Sequence, residues 1–138
     1  MLVFVPFDSI TDQHLRWIAE SLTTCPEFHR PDGEEMLRAV ESGASKVFAW
    51  DEGLLVVSVE EHNTSHERRL MIEAWAGQGA SFRLAELADD LRRIAAEWQC
   101  DTIETLAFDL RLSSAICRIG GRVESVCITL PVANRKVN

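Results

Sequence analysis

The sequence Leu70-Met71-Ile72-Glu73-Ala74-Trp75, followed by Gly77-Gln78-Gly79, decides the fold of this chain. The first run is mostly apolar and predicts a strand, which the glycines end. After Ser81 the apolar residues recur at steps of three and four, as is typical of a helix packed on a sheet. That stripe consists of Leu84, Leu87, Ala88, Leu91, Ile94, Ala95 and Trp98. Residues 102–108 return to an extended pattern, so a parallel, right-handed strand–helix–strand crossover is expected.

Apolar runs, caps and turns organise the remaining sequence into a short series of elements. We expect a strand over 1–7, a helix with an apolar stripe from Leu15 to Leu22, and a second helix that Asp32 caps and Gly43 ends. A hairpin follows around Asp51-Glu52-Gly53, and a polar connection spans 60–67. A short helix over 110–119, stopped by Gly120-Gly121, leads to a last strand over 123–130.

Composition limits the class of protein. The chain has 138 residues, 46% hydrophobic and 26% charged, which predicts one globular domain over 1–133 with a frayed tail at 134–138. No apolar run approaches about 20 residues, so no membrane span is expected, and the first residues resemble a strand rather than a signal peptide. The net charge of −8 argues against binding nucleic-acid phosphates. The four cysteines lack paired spacing and are interpreted as reduced, mostly buried thiols of a cytosolic-type protein.

The order strand, helix, helix, three antiparallel strands, long helix, strand, short helix, strand resembles the GNAT superfamily of acyl-CoA N-acyltransferases. The resemblance implies a single mixed α/β (α+β) domain with a central mixed sheet, antiparallel in its first half and followed by the parallel β-α-β crossover. It also implies that the strands at 69–75 and 102–108 are adjacent and splay apart, so that their gap receives the pantetheine arm of coenzyme A.

The resemblance places a cofactor turn after the fourth strand. Family members carry Arg/Gln-x-x-Gly-x-Gly/Ala there, and the equivalent stretch is Ala76-Gly77-Gln78-Gly79-Ala80-Ser81. Gly79 matches the central glycine, whereas Ala76 replaces Arg/Gln and Ser81 takes the last place. Gly77, Gln78, Gly79, Ala80 and Ser81 are therefore the candidate site for the coenzyme A pyrophosphate at the helix N-terminus. The alternative is that the two glycines only let the strand turn sharply.

The catalytic positions implied by the resemblance are mostly replaced. The family's tyrosine acid falls near Ile116, its phenylalanine falls at Gly121, and the chain contains no tyrosine. Glu73 lies where many members keep a general base, and Glu104 lies in the facing strand. Alternation places Glu73 on the same face as Met71 and Trp75 or else in solvent, and both carboxylates also fit an ordinary sheet surface.

Other reactive residues point to no site. Cys25 with His29, and His62 with His66, have the spacing of metal ligands but fall in predicted loops, so no metal is expected. Cys117 lacks a neighbouring base and is interpreted as a buried thiol.

Two functions follow. The first is a non-catalytic GNAT-like protein without cofactor that acts through protein–protein contacts. The Trp98-Gln99-Cys100-Asp101 helix end and the Ile119-Gly120-Gly121 stop resemble small GNAT-like proteins of tailed bacteriophages, which implies a virion structural or assembly component. Its partners would be virion proteins or copies of itself, in the bacterial host's cytoplasm or the virion. An exposed apolar patch of more than about 400 Å² is expected, at a tryptophan or beside the 60–67 connection. The alternative is a CoA-dependent N-acetyltransferase with a divergent active site, using acetyl-CoA and Glu73.

Overall fold

A computed structural model describes residues 1–23, 32–77, 84–105 and 110–123. The elements, in chain order, are β1 (Val3–Val5), a 3-10 turn (Phe7–Ser9), α1 (Asp12–Thr23), α2 (Gly33–Ser42), β2 (Ser45–Trp50), β3 (Gly53–Glu61), β4 (Arg68–Gly77), α3 (Leu84–Glu97), β5 (Thr102–Thr105) and α4 (Leu110–Arg118). This order confirms the series expected from the sequence up to α4. The strand expected over 123–130 lies outside the described residues except for Val123, and the tail at 134–138 lies wholly outside them.

The strands form a five-stranded sheet in the order β1-β2-β3-β4-β5. β1, β2, β3 and β4 pair antiparallel with one another. β5 runs parallel to β4, in register from Arg69 with Thr102 to Ile72 with Thr105. The mixed sheet, with an antiparallel first half and a parallel crossover through α3, is therefore confirmed.

Each face of the sheet carries its own apolar cluster. On the α3 face, Leu55, Val57, Leu70 and Ile72 pack with Leu87, Leu91, Ile94 and Ala95, among others. On the α1/α2 face, Val47, Leu54, Val56, Ala74 and Ala76 pack with Ile18, Met36 and Val40, among others. Because β3 is covered on both sides, its residues 54–57 are all fully buried, and its sequence is a continuous apolar run rather than an alternating one.

Two helix ends follow the predicted cap chemistry. The Asp32 side chain accepts a hydrogen bond from the Glu34 backbone N–H (2.9 Å) at the start of α2. At the end of α4, Gly120 has a φ of +99° and the Gly121 N–H donates to the Ile116 carbonyl (2.9 Å). This double-glycine stop satisfies a carbonyl that the last helical turn leaves unpaired.

The exposed apolar surface lies elsewhere than the sequence pattern predicts. Trp50 is buried, and the other three tryptophans are half-buried against the two clusters. The large apolar side chains that are exposed in the described ranges are Met1, Val3, Phe4, Phe7, Leu15 and Val123. Placing the patch at a tryptophan or beside the 60–67 connection was therefore wrong, because the sheet packing covers the indoles. The exposed residues concentrate at β1 instead.

Candidate functional site

A β-bulge in β4 determines where Glu73 points. In the pairing with β3, Ile72 and Ala74 have partners on consecutive β3 residues, and Glu73 has none. The extra residue breaks the period of two, so Ile72 belongs to the cluster on the α3 face and Ala74 to the one on the α1/α2 face. Trp75 packs against the α3-face cluster. The expectation that Glu73 shares a face with Met71 and Trp75 was therefore wrong for Trp75, and the alternative, exposure to solvent, agrees with the structure.

Two serine hydroxyls hold the Glu73 carboxylate on the α1/α2 face. Ser45 Oγ donates to Oε2 (3.1 Å) and Ser58 Oγ donates to Oε1 (2.7 Å). Ser45 is buried, with 3% of its surface exposed, so it is a fixed anchor. Since Glu73 itself is exposed, its oriented carboxylate can accept a proton or hydrogen bond from a molecule bound there.

Glu104 has a different environment. Its Oε1 lies 3.5 Å from Arg69 Nη1, and Arg69 also contacts Glu67 Oε2 at 3.4 Å. The three half-buried side chains form an ion-pair network at the end of the sheet where β4 begins. Glu104 therefore serves to neutralise Arg69, in line with the ordinary sheet-surface alternative.

Gly77 has a structural reason to be glycine. Its φ is +92°, and a Cβ on it would lie 2.2 Å from the Glu52 carbonyl oxygen and 2.4 Å from the Gly53 Cα. The β2–β3 turn passes so close to the end of β4 that no larger residue fits. This agrees with the sharp-turn alternative. Gln78, Gly79, Ala80 and Ser81 lie outside the described residues, so their contact with a coenzyme A pyrophosphate stays a prediction.

A cavity of about 380 Å³ lies between α3, the β4–β5 pair and α4. Its apolar lining includes Ile72, Trp75, Leu91, Ile103 and Ile116. This size is within the usual range for small-molecule pockets. No sequence pattern indicates this cavity, because its walls come from four elements whose contacts only the fold creates.

Trp75 bridges the two parallel strands at the edge of this cavity. Its Nε1–H donates to Thr105 Oγ1 (2.8 Å), and the Thr105 hydroxyl donates to the Ile72 carbonyl (3.4 Å). Thr105 is the last residue of β5. The indole therefore lies beside the end of the described β4–β5 pairing, close to where the resemblance implies a gap for a pantetheine arm.

The cavity wall formed by α4 and the residues after it is apolar. Ile116 lines the cavity, and a Cβ on Gly121 would lie 2.4 Å from Ile116 Cγ2, so the two residues are in close contact. Cys117, expected to be buried, is exposed because it lies on the outward side of α4.

The other thiol in the described part, Cys100, lines the cavity. Burial is the main cause that raises the pKa of Cys100, with Arg68 lowering the pKa and Asp101 raising it further. A raised pKa keeps this thiol protonated and weakly nucleophilic at neutral pH.

In the described part of the chain, no group of three or more His, Cys, Asp or Glu side chains could hold a metal ion. His62 and His66 lie at the β3–β4 connection, where His62 Nδ1 is 3.1 Å from Thr64 Oγ1 and His66 Nδ1 is 3.6 Å from Glu61 Oε1. Cys25 and His29 lie outside the described residues. None of the described helices is long and apolar enough to span a bilayer.

Comparison with known proteins identifies the architecture. No protein-family model and no curated protein matches the sequence. Among solved structures, a tetramutant of the BH1408 protein from Bacillus halodurans superposes with a TM-score of 0.73 at 13% identity, over 96% of this chain and 99% of that one. A ribosomal-protein-alanine N-acetyltransferase from Brucella melitensis biovar Abortus 2308 gives 0.66 at 12% identity, with coverages of 96% and 99%.

An aminoglycoside acetyltransferase from an uncultured soil metagenomic sample gives a TM-score of 0.64 at 17% identity, with coverages of 96% and 98%. At such identities the likeness concerns the fold alone, since one fold supports many functions. The superpositions extend over nearly the whole of each chain, so the likeness covers the whole fold. This chain therefore has a GNAT-like fold.

Proposed function

We propose that this chain is a non-catalytic GNAT-like protein that acts through protein–protein contacts. The observation that carries the proposal is the Trp75 indole at the end of the β4–β5 pairing, hydrogen-bonded to Thr105 across the two strands. An arm inserted there would have to displace the ring and leave a half-buried N–H without its partner, which costs about 1–3 kcal/mol.

Two further features support the proposal. The resemblance puts the family's proton donor near Ile116, whose side chain cannot protonate a departing thiolate. The net charge of −8 repels a polyanionic cofactor such as coenzyme A. The scaffold thus keeps its core and helix stops but lacks a proton donor where the resemblance implies one.

The biological setting that we propose is a bacteriophage particle or its assembly, in the cytoplasm of a bacterial host or in the virion. This part rests on the resemblance of the α3 end and the Ile119-Gly120-Gly121 stop to small GNAT-like phage proteins. The partners would be other virion proteins or further copies of this chain.

The alternative function is a CoA-dependent N-acetyltransferase with a divergent active site. Two observations favour it. Glu73 is exposed and oriented by two hydroxyls, as a general base requires, and two of the superposed proteins are named as acetyltransferases. In this alternative, acetyl-CoA would bind at residues 77–81 and Glu73 or a bound water would take the proton of the amine.

Isothermal titration with acetyl-CoA separates the two functions. We expect no binding heat up to millimolar acetyl-CoA, for both the wild-type protein and Glu73→Gln. Micromolar binding, together with release of free coenzyme A in the presence of amines that Glu73→Gln abolishes, would overturn the proposal and establish the alternative. Trp75→Ala is the informative companion variant: if the indole alone closes the gap, this variant gains measurable affinity.

A further inference from the structure

β1 is an edge strand, and the register of the neighbouring hairpin decides which of its backbone groups are free. Trp50 and Gly53 pair across the two-residue turn between β2 and β3, so they are a hydrogen-bonded pair. Hydrogen-bonded and non-hydrogen-bonded pairs alternate along an antiparallel ladder. Along β2, Val47 and Ala49 therefore direct their backbone groups towards β1, and residues 46, 48 and 50 direct theirs towards β3.

Phe4 is the residue of β1 whose backbone groups face away from the sheet. Val3 and Val5 pair with Ala49 and Val47, so their backbone groups point inwards and those of Phe4, between them, point outwards. No other described strand adjoins β1 on that side. An edge residue in this orientation can exchange two N–H···O=C bonds with one residue of another strand.

The neighbouring positions keep this free edge short. The Leu2 N–H donates to Asp90 Oδ2 (2.7 Å), and the Pro6 carbonyl accepts from the Ser9 N–H (2.9 Å). Proline also has no N–H of its own. A long incoming strand would therefore find one residue with both backbone groups free. The edge suits a partner strand that also presents a single such residue, as a second copy of β1 does.

The side chains match on both faces of the sheet when two copies pair antiparallel with Phe4 on the twofold axis. Phe4 lies on the α3 face, where it contacts Phe48 at a centroid distance of 5.7 Å. Val3 and Val5 lie on the opposite face, and the symmetry places Val3 of one copy opposite Val5 of the other. The exposed parts of Val3 (58%) and Phe4 (48%) would thus each meet an apolar residue on their own face.

The charges beside the edge are complementary in this arrangement. Lys46 lies next to the C-terminal end of β1, with its Nζ 5.7 Å from the centroid of the Phe4 ring, and it forms no ion pair within the described residues. Glu86 and Asp90 of α3 lie at the N-terminal end, 3.3 Å and 4.0 Å from the Met1 ammonium. The twofold axis brings opposite ends of the two β1 strands together, so each Lys46 approaches the acidic pair of the other copy.

The overall charge limits the strength of this association. Each chain has a net charge of −8, and the exposed residues Asp8 and Asp51 add negative charge beyond the ends of β1 and β2. Salt at about 0.15 M screens interactions beyond about 8 Å, which leaves the short-range contacts of the edge in place. We therefore expect a dissociation constant on the order of 0.1 mM.

We propose that two copies of this chain associate through β1, in antiparallel register about Phe4, into a weak dimer that joins two five-stranded sheets. The contact adds a strand to the sheet edge of each copy. This inference rests on the proposed function as a protein that acts through protein contacts, and it names the surface and the partner, which is another copy of the chain.

Cysteine cross-linking of the full chain tests the register. Phe4→Cys places the two new Cα atoms about 5.5 Å apart, within the span of a disulfide, so mild oxidation should link two copies. Val3→Cys is the matched control: its symmetry mates lie about 8 Å apart, too far for a disulfide. It should link to Val5→Cys when the two variants are mixed, but not to itself. Wild-type protein, with its four native cysteines, gives the background.

Sedimentation velocity between about 10 µM and 1 mM measures the dimer in solution. Phe4→Glu should weaken dimerisation at least about tenfold, because two carboxylates would then replace two rings on the axis. The control is Leu15→Glu, which should leave dimerisation unchanged, because Leu15 is exposed on α1 and α1 packs on β3 and β4. Val3→Glu keeps the Phe4–Phe48 contact and gives the same test should circular dichroism show that Phe4→Glu folds poorly.

Three results would overturn the proposal. They are a wild-type protein that stays monomeric at about 1 mM, a dimer that both glutamate variants leave intact, and a Val3→Cys variant that links to itself as readily as Phe4→Cys does. Acetyl-CoA turnover by the wild-type protein is a separate result: it would refute the proposed function and leave the dimer to be judged by these measurements.

Discussion

The hydrogen bond from Trp75 to Thr105 makes a quantitative prediction about how the two parallel strands are held together. Trp75→Phe keeps an aromatic ring in the α3-face cluster but removes the Nε1–H donor. Thr105→Val keeps the shape of the side chain but removes the acceptor. Combining the two changes closes a double-mutant cycle that isolates this one interaction.

The structure sets the expected magnitudes. A neutral hydrogen bond contributes about 0.5–1.5 kcal/mol to stability, whereas an unpaired buried donor costs about 1–3 kcal/mol. Thr105→Val should therefore be the more destabilising single change, because it leaves the indole N–H unpaired and also removes the hydroxyl that donates to the Ile72 carbonyl. In Trp75→Phe the hydroxyl keeps that second bond. We expect a coupling free energy of about 1 kcal/mol between the two positions.

Urea unfolding followed by circular dichroism measures the free energy of unfolding for all four proteins. With a slope near 2 kcal/mol per molar, the coupling corresponds to a difference of about 0.5 M in the unfolding midpoint from additivity. A coupling below about 0.3 kcal/mol would refute the prediction, since the hydrogen bond from Trp75 to Thr105 would then contribute nothing measurable to the association of β4 with β5. The obstacle to an inserted pantetheine arm would also be gone.

Two further changes test the cavity thiol and the glycine turn. Gly77→Ala should destabilise the fold by about 2–4 kcal/mol, because the added Cβ would collide with the Glu52 carbonyl at a positive φ. The control is Gly43→Ala, which also has a positive φ (+86°) but open space around it, and which should cost only about 1 kcal/mol. Equal losses of stability in thermal or urea unfolding would contradict the close contact between Gly77 and the β2–β3 turn. Folding raises the pKa of Cys100, so the folded protein binds the thiol proton more tightly than the unfolded chain does. The contribution of Cys100 to the stability of the fold is therefore fully present below the pKa of the unfolded thiol and is lost as the pH rises above it. Relative to Cys100→Ala, the free energy of unfolding of the wild-type protein should fall in this alkaline range. Parallel pH profiles of the two proteins would show that the Cys100 thiol does not affect stability. In addition, iodoacetamide at neutral pH should label exposed Cys117 before Cys100.

The position of Glu73 illustrates where sequence reasoning stopped. Residues 70–76 are nearly all apolar, so no alternation in the sequence marks a face, and the inserted residue of a β-bulge leaves no signal of its own. The bulge arises from the pairing of β4 with β3. Only that pairing sends Glu73 to the two serines and Trp75 to the opposite face.

The sequence likewise did not indicate that the apolar residues of β1 lie at an exposed edge. The apolar residues at the start of the chain predict a strand, and most strands of such composition are buried. The strand order decides both that β1 lies at the edge of the sheet and that Phe4 is half-covered by Phe48 rather than by a helix. The expectation for the tryptophans failed for the converse reason, since Trp50 is buried and the other three pack partly against the two clusters.

The sequence by itself determined the elements and their order from β1 to α4. Local signals are enough for this: the apolar stripe from Leu84 to Trp98 requires a helix on a sheet, Asp32 caps α2, and Gly120-Gly121 stops α4. The tertiary structure alone decided which groups meet. The bulge at Glu73, the Trp75–Thr105 bridge and the cavity between α3 and α4 join residues that are distant along the chain, and their positions follow from strand register and helix packing, which no local pattern encodes.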